Sequence, residues 1–293
     1  MKQLDFKTEK VQTLTIDDLR QTYKENLVTG QPVGGIYHYE LIAQVMEIFE
    51  NAGLKPAIQE IFAADNRDSK RPGVTLLPQL EEKYGERALE AHLLRRVYAN
   101  IEVRADESED MVTCLAVAYH QKGIQVGIGP MVRVCHNQTI LSARDVVSTY
   151  SWQGFRQRRE ELTIEALMSC VKDWARIYGD QQQGRMSTVE HLKSQAFTRD
   201  DLYKTIGVLV EKRIRHDTGN KELHNSAPYP LNSSQINETA ETLISNYSSE
   251  FSFWDALNCF NTVLKPDRMD IPQVLPQSVA LAETLLQIAY FQQ

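Results

Sequence analysis

No stretch of this chain approaches the roughly 20 consecutive apolar residues that a membrane-spanning helix requires, so no membrane partner is expected. Cysteine is scarce. Cys114, Cys135, Cys170 and Cys259 stand far apart and none belongs to a Cys-x-x-Cys pair, which argues against a tetrahedral zinc knuckle. Phosphate-cradling glycines are also missing. Gly127-Ile-Gly129 has neither the third glycine nor the following helix of a dinucleotide fingerprint, and its expected role is close packing of strands. Gly-x-Ser-x-Gly and His-Glu-x-x-His do not occur. A surplus of positive charge is lacking too: 32 Lys and Arg against 39 Asp and Glu leave a formal charge of −7. That balance opposes a protein wrapped in nucleic acid over its whole surface, while leaving room for a local basic patch. Met1 to Thr15 is polar and mixed in charge, unlike a secretory leader, and free thiols in a reducing cytoplasm are the expectation.

What is present is a chain of 293 residues with 42% apolar and 24% charged residues, ample for a sizeable core. Residues 1–34 read as a polar N-terminal arm with one short helix at Ile16 to Glu25. Helical spacing begins at His38 through Leu41, Ile42, Val45 and Phe49, and Gly53 stops it. Ala57 to Ala63 alternates weakly as a strand does, Asp65 to Pro72 is a turn-rich loop, and Leu80 to Leu94 carries its charges on one side like a helix. From Val97 to Leu141 the alternation predicts three or four antiparallel strands, with Pro130 breaking the last run. Period-2 geometry from there sets Val132, Val134 and His136 on one face and Arg133, Cys135 and Asn137 on the other.

Beyond Phe155 the period becomes helical. Leu162, Leu167, Val171 and Trp174 form one stripe with Gly179 near its end, and Leu202, Ile206, Leu209 and Val210 form a second. Residues 217–233 read as a long loop, and three helices follow at Ser234 to Ser245, Phe253 to Leu264 and Leu275 to Tyr290. The expected fold is α+β: an antiparallel-sheet region over 35–150, preceded by a helix, and a helical region over 151–293 packed on it. No linker separates the two, so one continuous domain is an open reading.

Few residues suggest chemistry. Cys135 and His136 are neighbours on a predicted strand and point to opposite faces, so no thiol–imidazole pair is expected. His216 and His224 flank a loop, and Glu102, Asp106, Glu107, Glu109 and Asp110 form an acidic run that solvates a hairpin. No catalytic residue, metal site or cofactor is read from them. The remaining signal is cationic and aromatic. Between residues 131 and 160, Arg133, Arg144, Arg156, Arg158 and Arg159 stand against only Asp145 and Glu160, with Tyr150, Trp152 and Phe155 interleaved. Single-strand binders need charge along the phosphates and flat side chains beneath the bases. A solvated helix start with its aromatics turned into the core accounts for the same residues. Lys204, Lys212, Arg213, Arg215 and Lys221 form a second cluster open to both readings.

Four pieces, in order, carry a family resemblance: His38-Tyr-Glu-Leu-Ile42, Val132-Arg-Val-Cys-His-Asn137, Tyr229-Pro-Leu-Asn-Ser-Ser-Gln-Ile236 and Trp254-Asp-Ala-Leu-Asn258, with Leu275-Pro-Gln277 near the end. The chain resembles the phage/plasmid-like family of unknown function carried on bacterial mobile elements. The resemblance implies a setting in mobile DNA and makes Cys135, Asn137, Trp254 and Asn258 motif positions. It implies no activity. Asn137 has a plain role closing a turn, and Asn258 one in a buried helix junction.

The expectation ranked first is non-sequence-specific single-stranded nucleic-acid binding or annealing, with Arg133, Arg156, Arg158 and Arg159 on phosphates and Trp152 and Phe155 stacking bases. The alternatives are a non-catalytic protein-interaction or assembly module, which an exposed apolar patch would favour, and a metal-dependent nuclease, which needs carboxylates converging in a cleft.

Overall fold

Alternating apolar residues give each central strand one row of hydrophobic side chains, and antiparallel pairing brings the rows into line. Ala99, Val117 and Val126 lie side by side across three strands, as do Ile101, Leu115 and Ile128. The structure is a computed structural model that describes residues 11–13, 15–24, 34–64, 97–104, 111–120, 123–132, 137–149, 163–217, 231–248, 250–264 and 271–290. Seven strands form one antiparallel sheet: β1 Val11–Thr13, β2 Lys55–Ala64, β3 Val97–Arg104, β4 Met111–His120, β5 Gly123–Val132, β6 Asn137–Gln138 and β7 Val146–Ser148. They run in chain order from β1 to β6, and β7 pairs with the other end of β5. The fold is α+β, as expected.

Among the described residues two helices precede the central strands, α1 Ile16–Lys24 and α2 His38–Asn51. Gly53, at φ +81°, takes the left-handed conformation that ends α2. The helical half contains α3 Ile164–Arg176, α4 Tyr178–Ser194, α5 Arg199–Asp217, α6 Ser233–Asn246, α7 Phe253–Val263 and α8 Ile271–Tyr290. Polar side chains cap several of these starts. Thr163 accepts from Ala166 N, Asn232 and Gln235 cap each other's backbone, and Ser252 and Asp255 do the same.

The strands differ from the sequence-based expectation in three places. The N-terminal arm is not free of the sheet: β1 is its edge strand, with Val11 opposite Ala64. Pro130 does not break β5. It pairs with Thr113 inside the strand, and its carbonyl accepts from Thr139 N at 2.8 Å. The run from Val132 to Asn137 is not one strand, because Val132 and Asn137 are paired antiparallel across β5 and β6. Residues 133–136, over which the sequence suggested continued alternation, lie outside the described residues. So do Asp65 to Pro72 and Leu80 to Leu94, the latter read as a helix.

Both faces of the sheet are covered. On the first, α2 and α3 lay Leu41, Ile42, Val45, Phe49, Leu167 and Val171 against the apolar rows. On the second, the strands carry small residues, and the first half of α8 lies on them with Val274, Leu275 and Val279 against Ala116 and Ala118. A Cβ on Gly127 would stand 3.2 Å from Leu275, and one on Gly129 only 1.9 Å from the Thr139 carbonyl oxygen. These glycines therefore serve close packing, as the sequence suggested. The second half of α8 enters the core of the helical region, where Leu281, Ala282 and Leu285 meet Leu257 and Phe260. The cores thus do not divide at residue 150: α3 belongs with the sheet, and α8 belongs to both.

Polar ties hold this junction. Arg185 of α4 is buried and grips Asp145 at 2.8 Å and Gln181 at 2.9 Å. Asn261 Nδ2 donates to Thr139 Oγ1 at 2.5 Å, Ile140 N donates to Ser278 Oγ at 3.2 Å, and Gln235 Nε2 donates to Gln277 Oε1 at 3.0 Å.

His38 is fully buried beside the edge of Tyr119, 5.5 Å between ring centroids, and burial lowers its pKa from the usual 6.5 to about 3. The unfolded chain protonates this ring near pH 6.5 while the folded chain refuses the proton until near pH 3, so stability falls as pH drops through that interval. Urea unfolding should show a loss of about 2 kcal/mol from this group between about pH 7.5 and about pH 5. A His38→Phe chain should lack that part of the slope. An unchanged slope would show that His38 does not enter the folded state neutral.

Candidate functional site

The residues that suggested nucleic-acid binding are only partly placed. Arg133, Cys135 and His136 lie outside the described residues, and so does 150–162 with Trp152, Phe155, Arg156, Arg158 and Arg159. Arg144, of the same cluster, is exposed in the short 3-10 turn at Ala143–Asp145. The motif residues have structural settings. Asn137 opens β6, and Trp254 is buried at the start of α7 within the helical core. Asn258 is half-buried on α7, and Asn261, one turn further along the same helix, ties it to Thr139 beside the sheet. Nothing in the sequence separated Asn261 from Asn258, since both fall on one short helix.

The second basic cluster does not form a cationic track. Lys212 turns inward and donates to Thr284 Oγ1 at 2.5 Å; burial lowers its pKa, and the Glu283 and Glu211 carboxylates offset part of that fall. Lys204 lies 3.8 Å from Asp201, and Arg215 pairs with Glu211. Arg213 is half-buried, and Lys221 lies outside the described residues.

A polar row crosses the second face of the sheet beside α8. Glu102 on β3 is buried; its carboxylate accepts from Arg104 Nε at 2.6 Å and from Gln59 Nε2 at 2.7 Å. Gln59 reaches it because a β-bulge lies between Ile58 and Glu60. Tyr98 donates to Gln138 Oε1 at 3.2 Å, and Gln138 donates to the Cys114 carbonyl at 3.0 Å. The Cys114 thiol, opposite Glu102, is buried, and burial pushes its pKa up, with Glu102 and Glu60 adding to the rise. Burial likewise raises Cys259 to about 11. A thiolate nucleophile is disfavoured at both, and Glu102 is held by its own neighbours. Among the described residues no three His, Cys, Asp or Glu side chains converge as a metal site. Asp65, Asp68 and the carboxylates of 106–110 lie outside those residues.

The feature that the sequence did not reveal is the outer face of α5. Leu202, Thr205 and Leu209 are buried, as helical spacing predicts, but Val210, grouped with them by sequence, is not. Tyr203 is 66% exposed, Ile214 55% and Val210 38%, and Ile244 on neighbouring α6 is 63% exposed. At 100° per residue Tyr203, Gly207, Val210 and Ile214 fall on one narrow stripe opposite the buried one. A Cβ on Gly207 would meet nothing within 4 Å, so the fold itself does not call for glycine there. Helix α5 is apolar on two faces, and the fold uses one.

Among the described residues no helix is long and apolar enough to cross a membrane. Comparisons of the chain with protein-family models, with curated proteins and with solved structures find no match.

The chemical inertness of the interior is directly measurable. Native chain treated with iodoacetamide near pH 8 should keep Cys114 unmodified, whereas denatured chain should alkylate fully, as read by peptide mass spectrometry. Rapid native labelling of Cys114 would reopen a thiol-based reading.

Proposed function

We propose that this chain is a non-catalytic interaction and assembly module that binds through the outer face of α5. The observation that carries the reading is the exposed stripe of Tyr203, Val210 and Ile214. A run of large apolar side chains left in water on one helix face is a mark of an association surface. The inert thiols and the locked Glu102 support the same reading by offering no reactive group. The cytoplasm is the compartment that fits its free thiols. A photo-crosslinking residue at position 203, in the cells that make the protein, should give discrete adducts that disappear with Ile214→Glu. The same group at exposed Lys172 on α3 serves as control. Position 203 as silent as position 172 would end this reading.

A second reading rests on the sequence of 150–159, where Arg156, Arg158 and Arg159 follow closely on Trp152 and Phe155 in an acidic chain. It assigns that segment to single-stranded nucleic acid, in keeping with the resemblance to proteins of mobile DNA. A labelled oligonucleotide should bind at low salt and release steeply as salt rises, and replacing the three arginines by Ala should abolish binding. No binding by the parent chain, or binding indifferent to the arginines, removes this reading.

A further inference from the structure

We infer that the partner of the α5 face is a second copy of this chain, docked antiparallel about a two-fold axis near Gly207. The inference rests on the interaction reading above and identifies its occupant.

Two patterns on the helix carry it. The apolar stripe, Tyr203, Gly207, Val210 and Ile214, has spacings of four, three and four residues. That is the seam by which paired helices interlock. The stripe reads the same from either end: antiparallel pairing sets Tyr203 of one copy against Ile214 of the other, and Gly207 against Val210. The second pattern is charge. One flank of the stripe bears Asp200, Lys204, Glu211 and Arg215, in the order negative, positive, negative, positive. In a two-fold antiparallel pair, like flanks face each other. Asp200 then meets Arg215 of the second copy, and Lys204 meets Glu211 of the second copy, so all four contacts per dimer join opposite charges. In a parallel pair this flank instead faces Ile206 and Arg213, and the complementarity is lost. Within one copy Lys204 lies 3.8 Å from buried Asp201 and Arg215 pairs with Glu211, but the Lys204, Glu211 and Arg215 side chains are themselves solvent-accessible, so their local pairs contribute little.

Gly207 supplies a third observation. Glycine inside a helix weakens it relative to alanine, and here no neighbour within the fold fills the space a Cβ would take. A bare backbone near the two-fold axis lets the two helices approach closely. The contact is short, limited to three turns of α5, so the dimer belongs among weak and reversible ones.

Sedimentation equilibrium of the full chain over a wide concentration range tests the proposal. The parent chain should pass reversibly from monomer to dimer. Ile214→Glu should hold it monomeric. Lys204→Glu or Glu211→Lys should each weaken the dimer about tenfold, and the two together should restore it. Gly207→Ala separates pairing from folding, because it should raise the melting temperature of the monomer while loosening the dimer. Dimers indifferent to Ile214→Glu, or charge variants that fail to rescue each other, overturn the antiparallel pairing. A chain monomeric at every concentration overturns self-association, and if position 203 still crosslinks to a product of another mass, the interaction reading stands without it.

Discussion

The structure depends on a helix coming very close to a sheet. Along the second face of β4 and β5 the side chains shrink to Ala116, Ala118 and Gly127, and α8 settles onto them. Because α8 then continues into the helical core, the sheet and the helices cannot be separated without stripping one face of each. The buried hydrogen bonds of Thr139, Ile140, Gln235 and Gln277 cluster along the same seam. Polar groups buried there are costly unless bonded, so they help specify one docking of helix on sheet.

Much of this arrangement was legible. Strict alternation in β3 to β5 announced strands, and helical spacing announced α2, α3 and the last three helices, since in each a whole face is apolar. Helix α4 was not legible. Its buried face carries Arg185 beside Val189 and Leu192, and an arginine held by Asp145 looks like surface when only the sequence is read. Val210 misled in the opposite direction, since periodicity tells that a face is apolar and not which way it points. Pro130 misled because a proline signals a broken strand, yet this one keeps a useful carbonyl.

The site was less legible than the fold. Sequence drew attention to charged and aromatic residues, whereas the structure draws it to apolar ones in the wrong place. Lys212, Lys204 and Arg215 looked like one basic cluster because they are close in sequence, and helical geometry sends them to different neighbours. In the interior, burial holds His38 and Cys114 neutral, and Glu102 is held by Arg104 and Gln59.

The covering of the second sheet face has a consequence for how the chain is made. Gly127 and the residue that closes over it, Leu275, are separated by about half the chain. During synthesis the strands emerge with one face already served by α2, while the other waits for the helix that completes it. Contacts so distant in sequence form slowly, and an unfinished sheet exposes apolar surface in the meantime. Docking of α8 on the sheet therefore has to wait until residue 275 has been made, and a ribosome paused before it would hold a sheet whose second face lacks that cover.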